Sequence, residues 1–296
     1  MNKHAYLIIA HNNPWQLSIL IELLDDERND IYILIDIKSN LSENQILYKP
    51  KYANLIVLKD LNRKIYWGGI SLIMAELYLL EIAQRHHQYS YYHLLSGMDL
   101  PLKTQDFLHS FFGQTSKEFV GFDDHHLKSA QWKTERYHFF VEGFNYRKKK
   151  IYKYLRNGLV LIQKILFIKR KREFAKYYHG SAFFSISLAF AKHLINKKSI
   201  IEKSYKHTIC CDEVFIQTEL MNSEFERNVS SSVAKGRENM RLIDWSRREG
   251  NTPYTWRIQD FDEMIKSPYF FARKVDENVD KEIILKIRQY LIGEHV

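Results

Sequence analysis

Residues 91–104 read Tyr-Tyr-His-Leu-Leu-Ser-Gly-Met-Asp-Leu-Pro-Leu-Lys-Thr. The first half is an aromatic and aliphatic run, the pattern of a strand buried on both faces. Ser96-Gly97 breaks that strand, and Pro101 bars helix until the next segment opens near Thr104. Asp99 is thereby held at the carboxyl end of a buried strand, the edge at which open α/β sheets bind ligands. A purely structural role, in which Asp99 caps backbone amides of the turn, fits the same local chemistry.

Working outward, Ala5–Ala10 reads as a first strand that opens into the loop His11-Asn12-Asn13-Pro14, followed by helical spacing over Trp15–Leu24. Ile31–Ile35 reads as a second strand ending in Asp36-Ile37-Lys38-Ser39, and Leu55–Leu58 as a third. Trp67-Gly68-Gly69 then leads into a helix over Ser71–Arg85. This alternation predicts an α/β fold with a mainly parallel central sheet flanked by helices. No internal repeat and no Ser/Gly linker interrupts it.

A chain of 296 residues can bury a substantial core. Aromatics at 14 %, against 11 Gly and 5 Pro, exclude a disordered or collagen-like chain. Cys210 and Cys211 are adjacent, so they give neither a disulfide framework nor a CxxC half-site, which fits a reduced compartment. No secretory signal and no apolar run long enough to span a bilayer is present. Neither Gly-x-Gly-x-x-Gly nor a P-loop occurs, which argues against dinucleotide enzymes and P-loop NTPases.

The net charge of +9 is concentrated in one place. Eleven of the 44 basic residues fall within Arg147–Arg172, which contains no acidic residue, so the rest of the chain is close to neutral. Apolar runs Leu159–Ile162 and Ile165–Ile168 lie between its two basic clusters. Such a basic amphipathic helix suits an anionic membrane surface; a core-packing helix with solvated ends fits equally. Binding of nucleic acid is not expected, because no aromatic-basic RNA motif accompanies the cluster.

The segment Leu95-Ser-Gly-Met-Asp-Leu-Pro-Leu-Lys103 resembles the signature of the core-2/I-branching β-1,6-N-acetylglucosaminyltransferase family (glycosyltransferase family 14), which also contains the peptide O-xylosyltransferases. Gly180-Ser-Ala-Phe-Phe184, Asp212-Glu-Val-Phe215, Arg241-Leu-Ile-Asp-Trp245 and Phe271-Ala-Arg-Lys274 resemble further family blocks in the same order. The similarity covers most of residues 4–276.

The resemblance implies a variant GT-A fold over residues 1–276, with a nucleotide-binding half at 1–104, an acceptor and catalytic half at 105–276 that includes the basic segment 147–172, and a polar C-terminal helix at 277–296. It further implies inverting, metal-independent transfer of a sugar from a UDP-sugar to a glycan hydroxyl, with N-acetylglucosamine in a β-1,6 linkage as the first expectation and xylose or another sugar as the alternative. Glu213 falls on the catalytic base, and Arg241 and Lys274 on the diphosphate contacts. By position His11, Asp36 and Lys38 lie near uracil and ribose, and Trp67 and Gly68 line the donor cleft. Asp99, Gly180, Ser181, Glu135 and Arg136 fall on the acceptor or sugar side.

The residues also allow blander readings. Asp36 can be a strand-end turn residue, His11 a structural one, and Glu135-Arg136 a surface charge pair. Arg273 is expected at the surface, pointing away from Lys274, and Trp245 in the core. Asp123-Asp124-His125-His126 suggests a metal at first sight, but consecutive side chains diverge, so no metal site is expected. Asp260 and Asp262 are expected on a solvated helix face. Eukaryotic relatives carry an N-terminal anchor, whereas this chain opens directly in a strand, so the expectation is a bacterial enzyme of the cytoplasm or the inner membrane face, with an acceptor that can be lipid-linked. The rival from another class is a non-catalytic, basic protein that binds membrane or nucleic acid.

Overall fold

The structure is a computed structural model that describes residues 3–58, 64–123, 125–144, 149–230 and 238–293. Arg147, Lys148, Asp124 and the last three positions of the expected C-terminal helix lie outside the described residues. In chain order the strands are β1 (His4–Ala10), β2 (Asn29–Ile35), β3 (Asn54–Leu58), β4 (Tyr91–Ser96), β5 (Leu100–Pro101), β6 (Phe119–Phe122), β7 (Gly180–Ser187), β8 (Arg241–Ile243) and β9 (Phe271–Arg273). The architecture is α/β with a mainly parallel sheet flanked by helices, the GT-A-like arrangement.

The chain divides into two compact units that do not follow chain order. The first comprises Met1–Lys59, His87–Ser116 and Met240–Val296; the second comprises Asp60–His86 and Lys117–Asn239.

In the first unit β3, β2, β1 and β4 form a parallel array in that order. Every residue of β2 is buried, and so are five of the six in β4, which explains the unbroken apolar runs of both strands. The order turns back at β1, so the crevice outside the carboxyl ends of β1 and β4 is a topological switch point, where such sheets bind ligands. A small second sheet, β5-β9-β8, brings Phe271–Arg273 beside the Leu100–Pro101 turn.

The C-terminal helix Lys281–Ile292 differs from the polar appendage that its sequence suggests. Ile283, Ile284 and Ile287 are fully buried, and Arg288 grips Glu22 of helix Pro14–Leu23 with two hydrogen bonds of 2.7 and 2.6 Å. Its apolar residues recur at helical spacing, and the polar majority masked that stripe.

The second unit is built on the antiparallel pair β6–β7. Glu118, just ahead of β6, is fully buried and accepts hydrogen bonds from Ser187 N and Oγ at 2.8 and 2.6 Å. Burial raises its carboxyl to about 7 against the lowering effect of those bonds.

At the start of β7, a Cβ on Gly180 would lie 1.9 Å from Gly121 O, so only glycine lets the two strands approach there. Gly180→Ala is therefore expected to cost at least about 3 kcal/mol. Gly158→Ala, in open space within a helix, is expected to be neutral or to gain up to about 1 kcal/mol. Urea unfolding of both variants checks the contrast.

Candidate active site

Two groups of side chains are the candidates, one in each unit. In the first unit β1 ends at Ala10 and passes into His11, Asn12 and a left-handed Asn13, whose amide donates to Asp276 at 3.0 Å. Asp36 follows β2 and folds back as an Asx turn, accepting from Lys38 N at 3.0 Å, with its other oxygen 3.7 Å from Lys38 Nζ. Lys274 follows β9 and lies 3.5 Å from Asp276.

These side chains share one electrostatic neighbourhood. Burial lowers the His11 imidazole; Asp36 opposes that effect, while Arg273, Lys38 and Lys274 reinforce it. His11, Asp36, Lys38 and Lys274 are thus brought together as expected, at the carboxyl ends of parallel strands.

Arg273 does not lie idle at the surface. Its guanidinium donates to Asp99 Oδ1 at 2.8 Å and to Ser96 Oγ at 2.5 Å. Asp99 is almost fully buried, and its second oxygen accepts from Ser96 N at 2.7 Å. Arg273, expected at the surface, thus faces a buried carboxylate rather than solvent. Asp99 is consequently a capping and pairing residue in this structure, the structural alternative that its turn allows.

Arg241 lies deeper than the other cations of this unit. It is 3 % exposed, its Nη2 donates to Leu94 O at 3.4 Å, and its guanidinium lies 4.4 Å from the centroid of Phe271. Burial pushes it down to about 10, with the charge of Asp99 opposing.

Trp245 is 56 % exposed, contrary to the core position expected for it; Trp256 is the tryptophan that fills the interior. The expectation of a solvated Asp260 fails as well. That residue is buried and takes Arg247 at 3.0 Å, Tyr254 OH at 3.0 Å and the Arg257 amide at 2.9 Å, while Asp262 is exposed.

The second unit holds Glu213. A 3-10 turn, Cys211–Glu213, runs into helix Phe215–Met221, and Glu213 sits at its end. Its Oε2 accepts a very short hydrogen bond from Lys133 Nζ and lies 3.2 Å from His179 Nε2. Lys133 Nζ is 2.5 Å from His179 Nε2, and His179 Nδ1 is 2.6 Å from Asp123 Oδ2.

Burial alone would raise the Glu213 carboxyl. The His179 hydrogen bond and the charge and hydrogen bond of Lys133 outweigh it and hold the group below the usual carboxylate range. Burial likewise lowers His179, but Asp123 and Glu213 reverse that effect and raise it. Asp212, next to Glu213, is raised by burial and by the negative charge of Glu213. The two adjacent carboxyls are thus driven apart, Glu213 toward the anion and Asp212 toward the acid. With 33 % of its side chain exposed, Glu213 is open to an incoming group.

The remaining expected residues lie in this unit with varied roles. Trp67 is exposed, and Gly68 takes a positive φ of 69° in the turn before helix Ile70–His86. Ser181 Oγ accepts from Phe183 N, and Gly180 is spoken for by Gly121. Glu135 lies 3.6 Å from Lys169 and 3.7 Å from Arg136, the charge-pair alternative.

Lys133, His179 and Asp123 were not assigned from sequence. His179 directly precedes the Gly-Ser block and Lys133 stands two residues before Glu135, but separations of 34 and 80 residues from Glu213 leave no local pattern. Among the described residues no group of three or more His, Cys, Asp or Glu side chains is placed to hold a metal ion.

Residues 4–265 match the sequence model of the Core-2/I-Branching enzyme family. The chain belongs to that family. Similar proteins include Xylosyltransferase 1 of Rattus norvegicus, 22 % identical over 98 % of this chain and 36 % of its own length. Xylosyltransferase 2 of Canis lupus familiaris is 22 % identical, with 98 % and 34 % covered. Xylosyltransferase 1 of Homo sapiens is 23 % identical, with 98 % and 30 % covered. The chain spans about a third of the length of these curated relatives.

Asp99→Asn keeps the shape of the side chain but leaves Arg273 without its charge partner. Unfolding in urea is expected to show a loss of about 3 kcal/mol, whereas a loss below about 0.5 kcal/mol would mean that the pair is not part of the framework.

Proposed function

We propose that the chain is an inverting glycosyltransferase that moves a sugar from a UDP-sugar to a glycan hydroxyl without a divalent metal, with Glu213 as general base. The carrying observation is the partly exposed Glu213 carboxylate, held ionised by Lys133 and the His179–Asp123 pair. In the step itself, the acceptor hydroxyl oxygen forms a bond to the anomeric carbon while its proton passes to Glu213 Oε. The bond from that carbon to the diphosphate oxygen breaks on the opposite face, and UDP leaves with the electron pair.

The departing diphosphate needs positive charge. Lys274, Lys38, Arg241 and Arg273 of the first unit are the groups to supply it. Asp36 suits the ribose hydroxyls as an acceptor, and His11, kept neutral by burial with its cationic neighbours adding to the effect, can pair with uracil. N-acetylglucosamine is the first donor sugar to test. Xylose is the second reading, favoured by the names of the similar proteins.

Glu213→Gln is expected to lower kcat by about 100-fold or more while calorimetric binding of UDP, with and without EDTA, stays unchanged. Transfer within a few fold of the unaltered enzyme would defeat the assignment, as would binding of UDP that EDTA abolishes.

The depressed carboxyl sets a pH signature. Glu213 is ionised above its lowered folded-state value, so activity should fall only as pH drops through that value. Lys133→Met or His179→Asn removes a group that favours the anion, and the acid limb of kcat/KM should move up by about one unit or more. An acid limb that stays in place would rule out these two residues as its cause.

A further inference from the structure

Within the basic segment lies the helix Lys150–Ile165, which leaves most of its apolar residues exposed, unlike an amphipathic helix packed on a globular protein. Tyr152, Arg156, Leu159, Val160 and Gln163 are the buried or half-buried residues. Gln163 donates to Tyr137 O at 2.9 Å and Tyr152 packs on Val141 and Ile209. Ile151, Tyr154, Leu155, Leu161, Ile162 and Ile165 are all exposed, and their spacing of three and four residues makes them one face. The two buried residues, Arg156 and Gln163, are polar, while the six exposed apolar residues form a stripe left for something else to cover.

The apolar surface does not stop with the helix. Leu166 and Ile168 are exposed, and Phe167, in a left-handed turn with φ 55°, is 87 % exposed. Lys150, Lys153 and Lys164 lie together along one edge of the stripe, all exposed, and Lys169, Lys171 and Arg172 follow the turn. Lys150, Lys153, Lys164 and Lys171 form no ion pair among the described residues. No helix among the described residues is long and apolar enough to cross a membrane, so contact would be lateral.

We propose that the outward face of this helix, with the turn Leu166–Ile168, docks on an anionic lipid bilayer. A row of lysines beside a stripe of Ile, Leu and Tyr matches the two layers of such a surface: phosphates for the ammonium groups and acyl chains for the aliphatic side chains. A second copy of the chain fits worse, because the same face would bring two unneutralised lysine rows together. A polynucleotide fits worse too, since it offers phosphates but no hydrocarbon for the aliphatic stripe, and the stripe lacks the row of rings on which bases stack.

The test is flotation of the full chain with vesicles of phosphatidylcholine alone and of phosphatidylcholine with phosphatidylglycerol, at low and high salt. Binding is expected only to the anionic vesicles and is expected to weaken with salt. Replacing Lys150, Lys153 and Lys164 together by Glu should reduce partitioning by about a hundredfold or more, and Phe167→Asp by about tenfold or more. Emission of a Phe167→Trp variant should shift to the blue on anionic vesicles alone. Far-ultraviolet circular dichroism confirms that each variant is folded, and the readouts need no sugar transfer, so they stand or fall apart from the role of Glu213.

The proposal is overturned by absence of flotation, by equal binding to both compositions, or by variants that bind like the unaltered chain. It is overturned equally by a solution dimer that Phe167→Asp dissociates, or by polynucleotide binding without vesicle binding.

Discussion

A carboxylate that must remain charged while half-enclosed by protein is the constraint on which the candidate site depends. Burial works against the Glu213 anion, and in isolation it would turn the group into a neutral acid with no capacity to accept a proton. Lys133 and His179 reverse that balance, and Asp123 fixes the imidazole from behind. The arrangement has a chemical cost: a strongly stabilised anion is a weaker base. It also has a use, since the carboxylate is ready over the whole neutral range without waiting for a proton to leave.

The first unit solves a different problem with the same means. Positive charge gathered at the ends of β1, β2 and β9 would repel itself, and each cation there has an acidic neighbour: Asp36 for Lys38, Asp276 for Lys274, Asp99 for Arg273. Arg241 is the exception in depth, placed between an aromatic ring and a backbone carbonyl. A buried guanidinium of this kind projects its field through a medium of low dielectric constant, so it can act on a bound anion without touching it.

Legibility in the sequence followed the range of the interactions involved. The strands β1, β2 and β4 stood out because burial on both faces writes a continuous apolar run. Asp36, Lys38 and His11 were legible because a parallel strand delivers whatever follows it to one edge. Lys133, His179 and Asp123 were not, because their meeting depends on tertiary contact across tens of residues. Arg273 was misplaced because alternation says only that neighbours diverge, not which side is solvent. Trp245 was misplaced for a similar reason: hydrophobicity says that a tryptophan is wanted inside, not which one, and it is Trp256 that fills the interior. The basic helix showed its stripe plainly, but periodicity does not say which face turns inward.

The interleaved path of the chain has a consequence for its synthesis. The first unit is assembled from three separate pieces, and the last, beginning at Met240, brings β8, β9, Arg241 and Lys274. The parallel array β3-β2-β1-β4 can pair as soon as Ser96 has left the ribosome, but the small sheet beside it must wait for more than a hundred further residues, during which the larger piece of the second unit, Lys117–Asn239, emerges. A nascent chain therefore carries Glu213 long before it carries Arg241 and Lys274, and an interrupted translation product ending before Met240 would be left without either of those cations.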